Sequence, residues 1–137
     1  MNNKNVLITG AGKRIGAEIA KSFAKNKWNI ALHYYSSNKE IKDLSEEIQN
    51  KYNVKTCVIR ADLSKLKEVN KVIPYVKNKL GFISCLINNA ATFEYDSLST
   101  LTEKSWNLHI DTNIRAPIFL CKGFIKQIPK NIEGNII

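Results

Sequence analysis

The chain has 137 residues, 44% of them apolar and 24% charged, enough for one ordinary globular core and too few for separate cofactor and substrate lobes. Its formal charge of +9 raises nucleic-acid and membrane partners, yet all 21 basic residues except Arg14, Arg60 and Arg115 are lysines scattered along the sequence. No arginine-rich stripe, aromatic stacking platform or paired Cys/His motif accompanies them, so a solvated lysine surface, of the kind an A- and T-rich codon bias produces, accounts for the charge.

The opening Met1-Asn2-Asn3-Lys4-Asn5 leads into a short apolar run without a cationic leader, and no stretch approaches the ~18 continuous apolar residues of a membrane span. Cys57, Cys85 and Cys121 are odd in number and lack CxxC spacing, which argues against a disulfide framework or a zinc site. They read as small core residues of a reducing compartment. The expectation is a cytoplasmic protein with no metal, nucleic-acid or membrane partner.

Asn5 to Thr9 reads as a strand ending at a glycine turn, and Arg14 to Asn26 follows with Ile15, Ile19, Ala20 and Phe23 at helical spacing. Asn29 to Tyr34 is a second strand. Ser37 and Glu40 have capping-box spacing before a helix with Ile41, Leu44 and Ile48 on one face. Val54 to Arg60 is a third strand, and Val69, Val72, Ile73, Val76 and Leu80 mark the next helix, with Pro74 as an expected irregularity. Cys85 to Asn88 is a fourth strand, Ala90 to Leu101 a loop, and Thr102 to Lys130 mostly helix around Pro117. This alternation predicts a doubly wound parallel α/β sheet with helices on both faces. Gly134 to Ile137 starts another strand with no residues left to complete its pairing, so the sheet is expected to be cut near the start of strand five.

The strongest local signal is Thr9-Gly10-Ala11-Gly12-Lys13-Arg14-Ile15-Gly16, directly after a strand and opening a helix. Glycines there let the backbone approach a pyrophosphate at the positive end of the helix. An acid ending strand two would bind a ribose hydroxyl and repel a 2′-phosphate, but the sequence reads His33-Tyr34-Tyr35-Ser36-Ser37. Hydroxyls at Tyr34, Tyr35, Ser36 and Ser37, with positive charge from Lys13 and Arg14, favour NADP over NAD.

These residues resemble the short-chain dehydrogenase/reductase family, whose opening is Thr-Gly-x-x-x-Gly-x-Gly, with Arg14 standing at the middle glycine. The form Thr-Gly-x-x-Lys-Arg-x-Gly, with Leu32-His33-Tyr34 after it, looks like the pteridine reductase branch, although Ser36 stands where that branch commonly has an arginine. Ala61-Asp62-Leu63-Ser64 looks like the adenine-contacting corner, and Asn88-Asn89-Ala90-Ala91 resembles the family's Asn-Asn-Ala-Gly, with Asn89, Ala90 and Ala91 beside the nicotinamide ribose. The resemblance implies one Rossmann-type NADP-binding domain over residues 1–137, a small-molecule substrate with a C=N or C=O group, and a homo-oligomer when intact. It also implies that Phe93 stacks on a flat pterin and that Asn113 helps hold a water of the proton relay. A 3-oxoacyl or other carbonyl reductase and a catalytically dead binding module are the alternatives. The family's catalytic serine and Tyr-x-x-x-Lys pair fall beyond Ile137. Tyr35 with Lys39 and Tyr75 with Lys79 satisfy that spacing by chance, at the wrong places in the fold.

Overall fold

The computed structural model describes residues 4–137, so Met1, Asn2 and Asn3, the start of the segment read above as no leader, lie outside the described residues. The elements in chain order are β1 (Asn5–Ile8), α1 (Arg14–Lys25), β2 (Asn29–Tyr34), α2 (Asn38–Tyr52), β3 (Thr56–Arg60), α3 (Leu66–Leu80) and β4 (Cys85–Ile87). A long helical arm follows, made of α4 (Glu103–Ile110), a π-helical stretch (Asp111–Arg115) and α5 (Ala116–Gln127), and β5 (Asn135–Ile136) ends the series. The strands form one parallel sheet in the order β3-β2-β1-β4-β5. The short β5 does pair, with Asn135 opposite Cys85 and Ile136 opposite Leu86.

Alternate side chains of a strand face opposite sides, and here both sides are covered, so β1 is buried throughout. Leu7, Ala31, Cys57 and Ile59 pack against the Val69, Val72, Ile73 and Val76 stripe of α3 and against Leu120 and Phe124 of α5. Val6, Ile8, Ile30 and Leu32 face the other way, onto Ala20 and Ala24 of α1 and Ile41, Leu44 and Ile48 of α2. Three of these helices were legible as apolar stripes, and most of those residues fill the core. Ile15 does not, being 70% exposed at the start of α1 where it lines a cleft, and Ile19, Phe23 and Leu80 are only half-buried at the core margin. Pro74 lies inside α3 without ending it, because Val72, Ile73 and Val76 on either side are anchored in that core. Cys57 and Cys85 are buried as expected, and burial pushes the Cys57 thiol up to about 11. Cys121 is half-buried at the core margin.

Two local readings change. Ser37 makes no capping bond to α2, and Glu40 reaches Lys13 of the glycine turn at 3.1 Å instead. The capping box belongs to α4, where the Thr102 hydroxyl accepts from the Ser105 N–H at 3.1 Å and the Ser105 hydroxyl accepts from the Thr102 N–H at 3.2 Å. Ile114, Ile118 and Ile125 of the helical arm are exposed. Among the described residues no helix is long and apolar enough to cross a membrane, and no group of three or more His, Cys, Asp and Glu side chains is placed to hold a metal ion.

Candidate functional site

The chain leaves the sheet edge after β3 and returns on the far side of β1 to form β4, so the C-terminal ends of β1 and β4 diverge into loops from adjacent strands. Ligands of open parallel sheets bind at such a switch point. Here it opens a cleft of about 670 Å³. Gly10, Lys13, Arg14, Ile15 and Gly16 form one wall; Tyr34, Tyr35, Ser36 and Ser37 another; Asp62, Leu63, Asn89, Ala90 and Ala91 the rest. Fourteen residues proposed from sequence for cofactor binding are therefore gathered in a single place.

The floor of the cleft requires glycine. Gly10 has a φ of +63°, and a Cβ there would lie 2.9 Å from the Ala90 Cα. At Gly16 a Cβ would lie 2.3 Å from the Gly10 carbonyl oxygen. Arg14, at the family's middle glycine, has a φ of +50°, so it keeps a glycine-like backbone under a charged side chain. That conformation costs an L-residue about 1–2 kcal/mol. Among the described residues no acid pairs with Arg14, whereas Lys13 is paired to Glu40.

Thr9 and Asn89 tie the two loops together. The Thr9 hydroxyl accepts from the Asn89 and Ala90 N–H groups, both at 3.0 Å, and the Asn89 amide donates to the Thr9 and Gly10 carbonyls at 2.9 and 3.1 Å. The Asn89 amide nitrogen thus faces the glycine turn, holding it against the end of β4.

His33 supports the same turn from β2. It is buried, its Nδ1 accepts from the Gly10 N–H at 3.2 Å, and its Nε2 lies 3.0 Å from the Ala61 carbonyl oxygen. A carbonyl only accepts and an N–H only donates, so the ring is neutral with its proton on Nε2. Burial pushes His33 below the ordinary histidine value, against the opposing pull of the Ala61 bond. Nothing in the sequence around His33 marks this role, because both of its partners lie more than 20 residues away.

At the end of β2, the Tyr34 hydroxyl donates to Asn38 at 3.0 Å, and the Arg60 guanidinium sits 5.3 Å from the Tyr35 ring centre. Asp62 accepts from the Ser64 N–H and hydroxyl at 3.0 and 2.7 Å and pairs with Lys65 at 3.3 Å. Burial alone would push the Asp62 carboxyl up, but these partners outweigh it and hold it below the usual carboxylate range. Arg115 braces this corner by donating to the Ser64 carbonyl at 2.7 Å.

Phe93 and Asn113 do not line the cleft wall. The Asn113 amide is engaged at both ends by Thr92, accepting from its N–H and donating to its carbonyl, each at 2.8 Å. Leu108 and Thr112, which do face the cleft, were missed; only their four-residue spacing on one side of the helical arm could have flagged them. Of the two chance Tyr-x-x-x-Lys matches, Tyr35 lines the cleft just after β2, and Tyr75 lies on α3 under the Lys79 ammonium, 5.9 Å from its ring centre.

The sequence matches the short chain dehydrogenase family over residues 4–137. The chain belongs to that family. The 3-oxoacyl-[acyl-carrier-protein] reductase FabG of Staphylococcus epidermidis is 34% identical over 135 residues, which cover 98% of this chain and 55% of that protein. Sepiapterin reductase of Chlorobaculum tepidum is 31% identical, covering 96% of this chain and 56% of the relative. Among solved structures, FolM alternative dihydrofolate reductase 1 of Brucella suis in complex with NADP superposes with a TM-score of 0.92 at 28% identity, covering 99% of this chain and 56% of that one. The chain thus spans about half the length of the short-chain dehydrogenases it matches.

Proposed function

We propose that this chain is the NADP-binding part of a reductase that passes hydride to a C=N or C=O group of a small substrate, with a pterin-type ring system favoured. The observation that carries the reading is the β1–β4 cleft, where a turn with no room for a Cβ at Gly10 or Gly16 opens a helix N-terminus beside a β2 end bearing hydroxyls and no acid. Gly10, Ile15 and Gly16 present the turn to the pyrophosphate. Arg14, with Lys13 and the hydroxyls of Tyr34, Tyr35, Ser36 and Ser37, takes the 2′-phosphate. Asp62 has lone pairs beyond those engaged by Ser64 and Lys65, and with Leu63 it holds the adenine. Asn89, Ala90 and Ala91 border the nicotinamide ribose. Bound NADPH would supply the hydride, as the NADP carried by the related FolM structure suggests.

Asn113 serves this reading as a positioning residue, since its amide fixes Thr92 beside Phe93. The family resemblance gives the proton transfer to a serine with a Tyr-x-x-x-Lys pair, which the residues of this cleft do not include, so the role assigned to the cleft is cofactor binding. Exposed Ile114, Ile118 and Ile125 support assembly of that protein as a homo-oligomer. The exposed ring of Phe93 and the similarity to FolM and sepiapterin reductase favour a pterin. The 34% identity to FabG favours a second reading, reduction of a 3-oxoacyl thioester.

NADPH oxidation by the full-length protein, with a dihydropterin and with a 3-oxoacyl thioester, separates the two. Phe93→Ala is expected to raise the pterin KM about tenfold, the worth of one good ring stack, while NADPH affinity stays within about twofold. Unchanged pterin kinetics would reject the stacking role, and no turnover of either substrate would leave a binding module. A pair of Arg14 variants tests the phosphate assignment. Arg14→Ala and Arg14→Gly should each cut the NADPH/NADH affinity ratio about tenfold, by removing a charge-assisted contact. Only Arg14→Gly should also stabilise the fold, by about 1 kcal/mol in urea unfolding, because it relieves the positive φ. An unaltered ratio in both variants would refute the assignment.

A further inference from the structure

Every side chain from Phe93 to Leu101 is exposed, so no apolar anchor sets the path of the loop after β4. Polar contacts to the helical arm set it instead, and they run in register. Asn113 binds both backbone groups of Thr92, His109 Nε2 accepts from the Glu94 N–H at 3.0 Å, and the Ser105 hydroxyl donates to the Asp96 carboxylate at 3.1 Å. The helix contributes every fourth residue and the loop every second, which is one face of a helix against one side of an extended chain. Phe93 and Tyr95, the residues between, are left 75% and 96% exposed as an edge-to-face pair with ring centres 5.2 Å apart. Leu108 and Thr112 of the same helical arm line the cleft, so the arm carries the loop on one side and borders the cleft on another.

We propose that His109 is a positioning residue that sets the aromatic pair Phe93 and Tyr95 for substrate, by holding the Glu94 backbone at the centre of this three-point clamp. The substrate role rests on the reading of Phe93 given above; the clamp rests on its own hydrogen bonds. The Nδ1 of His109 lies 2.8 Å from the Ser105 carbonyl oxygen, which only accepts, so Nδ1 carries the proton and Nε2 presents its lone pair to Glu94. The neutral ring alone can do both. A second proton would fall on Nε2, where the Glu94 N–H points, and open the clamp. The titratable groups of the loop are Glu94, Tyr95 and Asp96, and those of α4 and the π-helical stretch besides His109 are Glu103, Lys104, Asp111 and Arg115, the last two paired at 2.9 Å. Phe93 packs edge-on to the same imidazole, with centres 6.3 Å apart, so ring and clamp move together.

The experiment pairs amide exchange of residues 92–96 with steady-state kinetics, both in the full-length protein. In His109→Ala the Glu94 amide should exchange about tenfold faster and the substrate KM should rise about tenfold, for loss of one hydrogen bond, with kcat and the NADPH KM within about twofold. His109→Gln keeps an acceptor but takes no charge. It should retain protection and KM, because its side-chain oxygen can still accept from the Glu94 N–H. Unchanged Glu94 exchange in His109→Ala would remove the clamp, and faster exchange with an unchanged KM would remove its role toward substrate; either overturns the proposal. A wild type that ignores pterins sinks the pterin reading and not this one, because the KM arm is then read with the carbonyl compound the protein reduces. With no turnover at all, the exchange arm decides alone.

Discussion

Gly16→Ala is expected to lower the unfolding midpoint by about 10 °C and to weaken NADPH binding about a hundredfold. The added carbon would lie 2.3 Å from the Gly10 carbonyl oxygen and 3.0 Å from the Ala11 Cα, both backbone atoms that cannot rotate away. Relief requires the turn to open, and overpacking against a fixed neighbour costs about 3 kcal/mol, which at roughly 3–4 °C per kcal/mol gives the shift stated. The same opening moves the Asn89 amide, 2.7 Å from the added carbon, off the two carbonyls it holds. Differential scanning calorimetry and NADPH titration check both arms. A variant with wild-type melting and affinity would mean that the turn has slack the structure does not display.

A second large effect is expected at His33. Its neutral ring is hydrogen-bonded on both nitrogens and buried, and burial holds its pKa below the ordinary value of 6.5. The sign follows from linkage. Above 6.5 both folded and unfolded chains carry a neutral His33 and its contribution is complete. As pH falls through 6.5 the unfolded chain takes up a proton that the folded one resists, and stability is lost at up to ~1.4 kcal/mol per pH unit until the folded value is reached. His33→Leu leaves the Gly10 N–H and the Ala61 carbonyl without a partner, which costs about 3 kcal/mol at pH 7.5. It also deletes the proton acceptor, so its stability should fall less between about pH 7 and pH 5.5 than that of the wild type. Urea unfolding at the two pH values measures this directly. Parallel losses in both proteins would show that His33 does not carry the acid sensitivity.

Much of the fold was legible because its signals are local. The continuous apolar run of β2 is bounded at Asn29 and Tyr34 as read, since a strand covered on both faces needs no alternation. The cleft wall was legible because its glycines, hydroxyls and missing acid sit within a few residues of strand ends. What stayed hidden depends on partners far along the chain. His33 gains its role from Gly10 and Ala61, 23 and 28 residues away, and nothing in Leu32-His33-Tyr34 announces them. The clamp of Ser105, His109 and Asn113 is a four-residue period facing a two-residue period across a turn, and neither half is distinctive alone. The capping box was sought at Ser37 because Glu40 fits the pattern, but Lys13 takes Glu40, and Thr102 with Ser105 does the capping. The positive φ at Arg14 and the paired charge at Lys13 likewise become visible only in three dimensions.

The position of β1 at the centre of the sheet has a consequence for how the molecule is made. Its pairing with β2 closes over one helix, so β1 to β3 can assemble from neighbouring segments as they leave the ribosome. Its pairing with β4 joins residues about 80 apart, as in the bond from the Asn89 N–H to Thr9, and such long closures come late because their entropy cost precedes their reward. The glycine turn is therefore synthesised early and completed only once β4 is in place. Until Asn89 arrives, the Thr9 hydroxyl and the Gly10 carbonyl face water, and a nascent chain shorter than about 90 residues holds half of the cleft without its other wall.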